Sequence, residues 1–136
     1  MEEIRHYVVI KTTPENVYKA ITTQEGLSGW WAKETTAKPE EGFVNVFVFG
    51  KSRNEMKVTK LIPDNSVEWE CIASIEEWIG TNISFDLEEK DDRTILRFAH
   101  SGWRAATDTF AGCNYNRALF MKSLKSFCES GTGTPS

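Results

Sequence analysis

Hydrophobic and polar residues alternate over Glu3–Lys11, where Ile4, His6, Val8 and Ile10 share one face and Arg5, Tyr7, Val9 and Lys11 the other. That period of two predicts a first strand. Thr13-Pro14-Glu15 then supplies an N-cap, a proline at the first helical position and an acid at the positive helix end, with Val17, Ala20 and Ile21 as an apolar face behind them. Thr23 caps a second short helix, on which Leu27, Trp30 and Trp31 stand at i, i+3 and i+4. The stretch 33–42 is polar, carries Pro39 and Gly42, and is expected to be a loop.

Phe43–Phe49 is apolar on both faces, a strand covered at least in part on both sides. Met56, Val58 and Ile62 continue on a partner strand beyond the Gly50–Asn54 turn, and Pro63-Asp64-Asn65 turns the chain again. Val67, Trp69 and Cys71 alternate with Glu68 and Glu70. Thr81, Ile83, Phe85 and Leu87 alternate with Asn82, Ser84, Asp86 and Glu88, and after Lys90-Asp91-Asp92 so do Leu96, Phe98 and His100 with Ile95, Arg97 and Ala99. Short polar turns between five successive strands make an antiparallel meander.

The segment long and periodic enough for a long helix is Thr107–Glu129. At about 100° per residue, Phe110, Cys113, Phe120, Met121, Leu124, Phe127 and Cys128 fall together, and Arg117 lies near the centre of that stripe. The tail 131–136 carries no packing signal and is expected to be disordered, leaving one domain over residues 3–130. One strand, two short helices, five meandering strands and one long helix predict an α+β domain of order β-α-α-β-β-β-β-β-α. A curved antiparallel sheet is covered by the long helix, and the first strand sits beside the last. That placement brings His6 and His100 within potential reach.

Composition narrows the partners. A net charge of −4 with no basic run argues against nucleic acid. No apolar run approaches the roughly 18 residues of a membrane span, and Met-Glu-Glu-Ile-Arg-His lacks the basic and apolar regions of a secretory signal. Cys71, Cys113 and Cys128 are odd in number and widely spaced, so buried thiols in a reducing cytoplasm are expected. Five tryptophans and an aromatic fraction of 12% supply rings for a pocket wall as well as for a core. The Trp30–Trp31 pair fits either role.

The order of elements, the Thr-Thr-Gln-Glu-Gly-Leu-Ser-Gly-Trp-Trp run at 22–31, His100-Ser-Gly-Trp103 and Leu124-Lys-Ser-Phe-Cys-Glu-Ser-Gly131 resemble the activator-of-Hsp90-ATPase homologue family. That family falls within the START-like, helix-grip superfamily, and the likeness covers about residues 4 to 131. It implies a sheet gripping the last helix and a cavity between them that receives an apolar ligand. Where relatives often carry a Gly-Trp pair seven residues before the leucine matching Leu124, this chain has Asn116-Arg117.

Catalytic and metal chemistry is sparse. The glycines form no phosphate-cradling loop, and two histidines with three cysteines show no metal-ligand spacing, so no cofactor and no metal are expected. Cys71 with His100 lacks an identifiable orienting group, and the meander carboxylates alternate outward. Arg117 either reaches solvent through the cavity mouth, anchors an anionic or carbonyl group of a ligand, or forms an internal ion pair.

The leading expectation is non-enzymatic binding of a small, largely apolar ligand, lipid-like or aromatic. Its lining would draw on Trp30, Trp31, Trp69, Phe85, Phe98, His100, Trp103, Arg117, Phe120 and Met121. The rivals are a chaperone-associated interaction domain and an enzyme of the polyketide cyclase or hydrolase kind using His100 and Arg117. The chain is expected to be a monomer or weak homodimer.

Overall fold

The computed structural model describes residues 2–136. Seven strands form one antiparallel sheet: β1 (Glu2–Ile10), β2 (Glu34–Thr36), β3 (Val44–Phe49), β4 (Ser52–Ile62), β5 (Ser66–Ala73), β6 (Asn82–Lys90) and β7 (Arg93–Trp103). Their spatial order is β1-β7-β6-β5-β4-β3-β2. The helices are α1 (Pro14–Thr22), α2 (Gln24–Trp30) and α3 (Asp108–Ser130). This is the α+β architecture that the element order predicts, with one strand more after α2, in the helix-grip arrangement that the resemblance implies.

Local chemistry explains the helix ends. Thr13 Oγ1 accepts from Asn16 N–H, and Thr23 is at once the last cap of α1 and the first cap of α2, where its Oγ1 accepts from Gly26 N–H. The two helices therefore share a residue instead of a linker. They also approach closely, since a Cβ on Gly26 would lie 2.6 Å from the Ala20 backbone. Thr107 caps α3 by accepting from Phe110 N–H and donates its hydroxyl to Glu77 Oε2 at 2.7 Å, which ties the helix start to a 3-10 turn at Glu76–Trp78. Gly131 ends α3 in the left-handed region at φ 86°.

Two segments depart from the expected pattern. The stretch 33–42 contains β2, which pairs Glu34, Thr35 and Thr36 with Val48, Phe47 and Val46. Backbone bonds carry this strand, and Thr35 is fixed by a hydroxyl bond of 2.6 Å to Ala32 O, so no apolar alternation announces it. The tail read as disordered instead lies back against the fold. Thr134 N donates to Ser123 Oγ at 2.8 Å, Ser136 N to Trp31 O at 2.9 Å, and Lys33 N to Ser136 O at 3.0 Å. Backbone groups and a buried serine make these contacts, without a hydrophobic side chain to signal them.

The inward row of α3 is Cys113, Arg117, Met121 and Leu124, all buried. Against it the sheet presents Phe47, Val58, Trp69, Ile83, Phe85, Leu96 and Phe98. At the far end, Lys125 Nζ donates to Val9 O and Glu129 Oε2 accepts from Lys11 N at 2.8 Å, clipping α3 to β1.

Candidate functional site

The aromatic residues on the inner faces meet one another ring to ring. Trp31 stacks on Phe47 (centroids 5.3 Å, planes 18° apart) and on Phe120 (5.4 Å, 22°), and it touches Trp69 at 5.4 Å. Trp69 meets Phe85 edge-on at 5.2 Å, and Phe85 meets Phe98 at 5.3 Å. Trp30 donates its indole N–H to Ala20 O at 2.8 Å and packs edge-on against Phe85. These rings fill the interior between the sheet and α3 at the spacing of direct aromatic contact.

An open cleft of about 440 Å³ lies beside the N-terminal half of α3, between that stretch of helix, the β3–β4 turn and the 3-10 turn. Its lining includes Phe49, Asn54, Ile75, Trp78, Cys113, Arg117 and Phe120. Of the ten residues expected to line a pocket, Arg117 and Phe120 border this cleft. Trp30, Trp31, Trp69, Phe85, Phe98 and Met121 belong to the main packed cluster, while Trp103 packs with Ile4 and Cys113 in a second one. Trp78, Cys113 and Phe49 were not singled out from the sequence. Trp78 lies at a polar corner, and Cys113 needed only its shared face with Arg117, one helical turn away, to be noticed. A larger groove of about 590 Å³ between α1, α2 and the end of α3 has no buried charged group in its lining.

Arg117 gives the cleft its character. It is only 2% exposed, so it does not reach solvent through the mouth. Nor does it form an internal ion pair: among the described residues the salt bridges are side-chain pairs elsewhere, such as Arg97–Glu88 at 2.8 Å and Lys125–Glu129 at 2.9 Å. Its guanidinium carbon lies 5.0 Å from the Trp31 ring centre, 4.8 Å from Trp78 and 5.9 Å from Phe120. Three ring faces stabilise the cation through their quadrupoles. They leave its Nε and Nη2 buried without a hydrogen-bond partner. Burial pushes the Arg117 pKa down from its ordinary value, and the nearby thiols Cys113 and Cys71 act in the opposite direction.

Behind Arg117 stands His100, fully buried. Thr81 Oγ1 donates to Trp78 O at 2.5 Å, so it accepts from His100 Nε2 at 2.8 Å. The proton therefore sits on Nε2, and the Nδ1 lone pair faces Cys113 Sγ at 3.9 Å. Burial first, and the Arg117 charge second, push the His100 pKa down to about 3. Burial raises the Cys113 pKa as well, against a smaller opposing effect of Arg117. The thiol beside His100 is that of Cys113, not Cys71, in a neutral thiol–imidazole contact. His6 stacks on Phe98 at 6.2 Å and pairs across the ladder with Phe98, while Ile4 sits opposite His100, so the two histidines are not hydrogen-bonded.

Among the described residues no group of three or more His, Cys, Asp or Glu side chains is placed to hold a metal ion, and no helix is long and apolar enough to cross a membrane.

Known structures share this frame. The Aha1 dimer from Colwellia psychrerythraea, solved in solution, is 41% identical, superposes with a TM-score of 0.91, and the match covers 98% of this chain and 100% of that one. A Mesorhizobium loti protein at 18% identity (TM-score 0.81, 92% and 95% covered) and a Staphylococcus saprophyticus protein at 14% (0.82, 98% and 96%) share the fold. No curated protein matches the sequence. The family model described as Activator of Hsp90 ATPase homolog 1-like protein matches residues 11–129. With that match spanning most of the domain, the chain belongs to the Activator of Hsp90 ATPase homolog 1-like family, within the START-like superfamily.

Proposed function

We propose that the protein binds a small, largely apolar ligand, without converting it chemically, in the cleft between the sheet and α3 whose floor is Arg117. The observation that carries this reading is a buried guanidinium with two unpaired nitrogens beside an opening walled by Trp78, Phe120 and Phe49. A cleft of about 440 Å³ falls in the size range of small-molecule sites. The ligand is held beside the N-terminal half of α3, because aromatic side chains occupy the space between the sheet and the rest of the helix. The neutral state of His100 and the raised pKa of Cys113 support a binding role over nucleophilic or acid–base catalysis.

Titration of ¹⁵N-labelled protein with a panel of naphthalene and decyl compounds tests the reading. Shifts should concentrate at Trp78, Arg117 and Phe120. A panel that leaves these resonances unmoved at millimolar concentration overturns it.

The family description and the 41% identical Aha1 relative favour a second reading, a chaperone-associated interaction domain that acts on a 90-kDa heat-shock protein. Stimulation of that chaperone's ATP hydrolysis by the purified protein supports this reading, and an unchanged rate at saturating protein removes it. The same relative is a dimer, and sedimentation at increasing concentration tests a weak homodimer for this chain.

A further inference from the structure

We propose that the ligand of the Arg117 cleft is a monocarboxylate, an aromatic or alkyl acid whose carboxylate docks on the side edge of the guanidinium. This deepens the binding reading above and rests on it.

Three observations lead there. The unpaired atoms are Nε and Nη2, whose N–H bonds run parallel along one edge of the guanidinium, the edge that fits both oxygens of a carboxylate. The compartment behind it is rich in donors: the indole Nε1 atoms of Trp78 and Trp103 are also buried and unpaired. Both rings pack on His100, with centroids 5.7 and 4.8 Å away, and His100 Nε2–H is already used on Thr81. Three unpaired donors at the cleft itself, Arg117 Nε, Arg117 Nη2 and the Trp78 indole N–H, call for an acceptor.

Charge selects among acceptors. With His100 neutral and the neighbouring thiols protonated, Arg117 supplies one positive charge, and among the described residues no carboxylate pairs with it. A monoanion neutralises it, whereas a phosphate dianion would leave net negative charge in a largely apolar wall. A neutral amide or ester would satisfy hydrogen bonds but leave the cation unbalanced.

Trp78 governs access. Its ring lies over the guanidinium at 4.8 Å, and its own N–H has no partner, so displacing it breaks no hydrogen bond. It projects from a 3-10 turn that lacks a side-chain cap and is flanked by the exposed Ile75 and Ile79.

Calorimetric titrations of the full chain with 2-naphthoate, 2-naphthamide and methyl 2-naphthoate at neutral pH test this assignment. The acid should bind at least tenfold tighter than its two neutral analogues, and the Arg117 Nε–H and Trp78 indole N–H resonances should shift with it. Arg117→Met should erase the preference, and Arg117→Lys, which keeps the charge but not the fork, should lose most of it. Equal affinity of all three probes for the wild-type protein overturns the carboxylate assignment and leaves the apolar-ligand reading standing. No binding by any of the three, together with silence across the wider panel, overturns both.

Discussion

Replacing Arg117 with methionine should make the protein more stable while removing its ligand. The guanidinium is 2% exposed and its Nε and Nη2 have no partners. Each unpaired buried donor costs about 1–3 kcal/mol, and burial of the charge itself adds several more. Against this stand contacts with three rings, each worth about 0.5–2 kcal/mol. Methionine keeps much of the length, and its thioether also packs well on aromatic rings. The balance is a gain of roughly 1–3 kcal/mol, comparable with the gains seen when buried ion pairs are replaced by apolar groups. Urea unfolding followed by tryptophan fluorescence should show a later midpoint at unchanged slope. Saturating 2-naphthoate, at about 100 times its dissociation constant, should stabilise the wild type by about 2.7 kcal/mol and the variant hardly at all. A midpoint lower than that of the wild type would refute the reasoning, since it would mean that the guanidinium is satisfied in the folded protein and has no vacancy for an anion.

Two further substitutions test other parts of the structure. The unfolded imidazole ionises near 6.5 while burial holds His100 in the folded state at about 3. Its stabilising effect is therefore complete above pH 6.5 and declines as pH falls toward 3, by roughly 3 kcal/mol between pH 7 and pH 4. In His100→Gln the loss of stability between those pH values should be smaller by about that amount, and equal losses in the two proteins, measured by urea titration, would contradict the neutral-histidine assignment. Gly26→Ala should cost about 1–3 kcal/mol, because its Cβ would meet the backbone of Ala20 at 2.6 Å and of Lys19 at 2.8 Å. Gly29→Ala should cost less, since its Cβ meets the half-buried Phe127 side chain rather than backbone and alanine favours the helix; a larger thermal destabilisation by Gly29→Ala than by Gly26→Ala would reverse the argument.

Elements with a strong period were legible from the chain. β5 and β6 follow their alternating apolar residues, α1 starts at Pro14 behind its Thr13 cap, and α3 begins one residue after Thr107. β2 and the tail were not, because backbone groups and the hydroxyls of Thr35 and Ser123 hold them, and neither leaves a pattern of apolar residues. Periodicity located Trp31, Trp69 and Phe85 on inward faces, yet it carries no measure of the distance between opposing side chains. Whether those rings enclose a space or touch depends on sheet curvature and on how closely α3 approaches. Arg117 was conspicuous as a cation on an apolar stripe. Its lack of a counter-charge depends on which acids fold beside it, and that is a property of the assembled structure.

The strand order has a consequence for how the molecule behaves in company. A sheet that does not close has two rims of free backbone groups on which a foreign strand can dock. On one side the rim is β2, whose three residues give little length for pairing. On the other it is β1, nine residues long, where Glu2, Glu3 and Arg5 place charges along the rim and Glu129 occupies the amide of Lys11 just beyond it. A short rim and a charged one discourage runaway strand addition, so the open sheet should stay dispersed at concentrations at which an uncharged rim of the same length would template fibres.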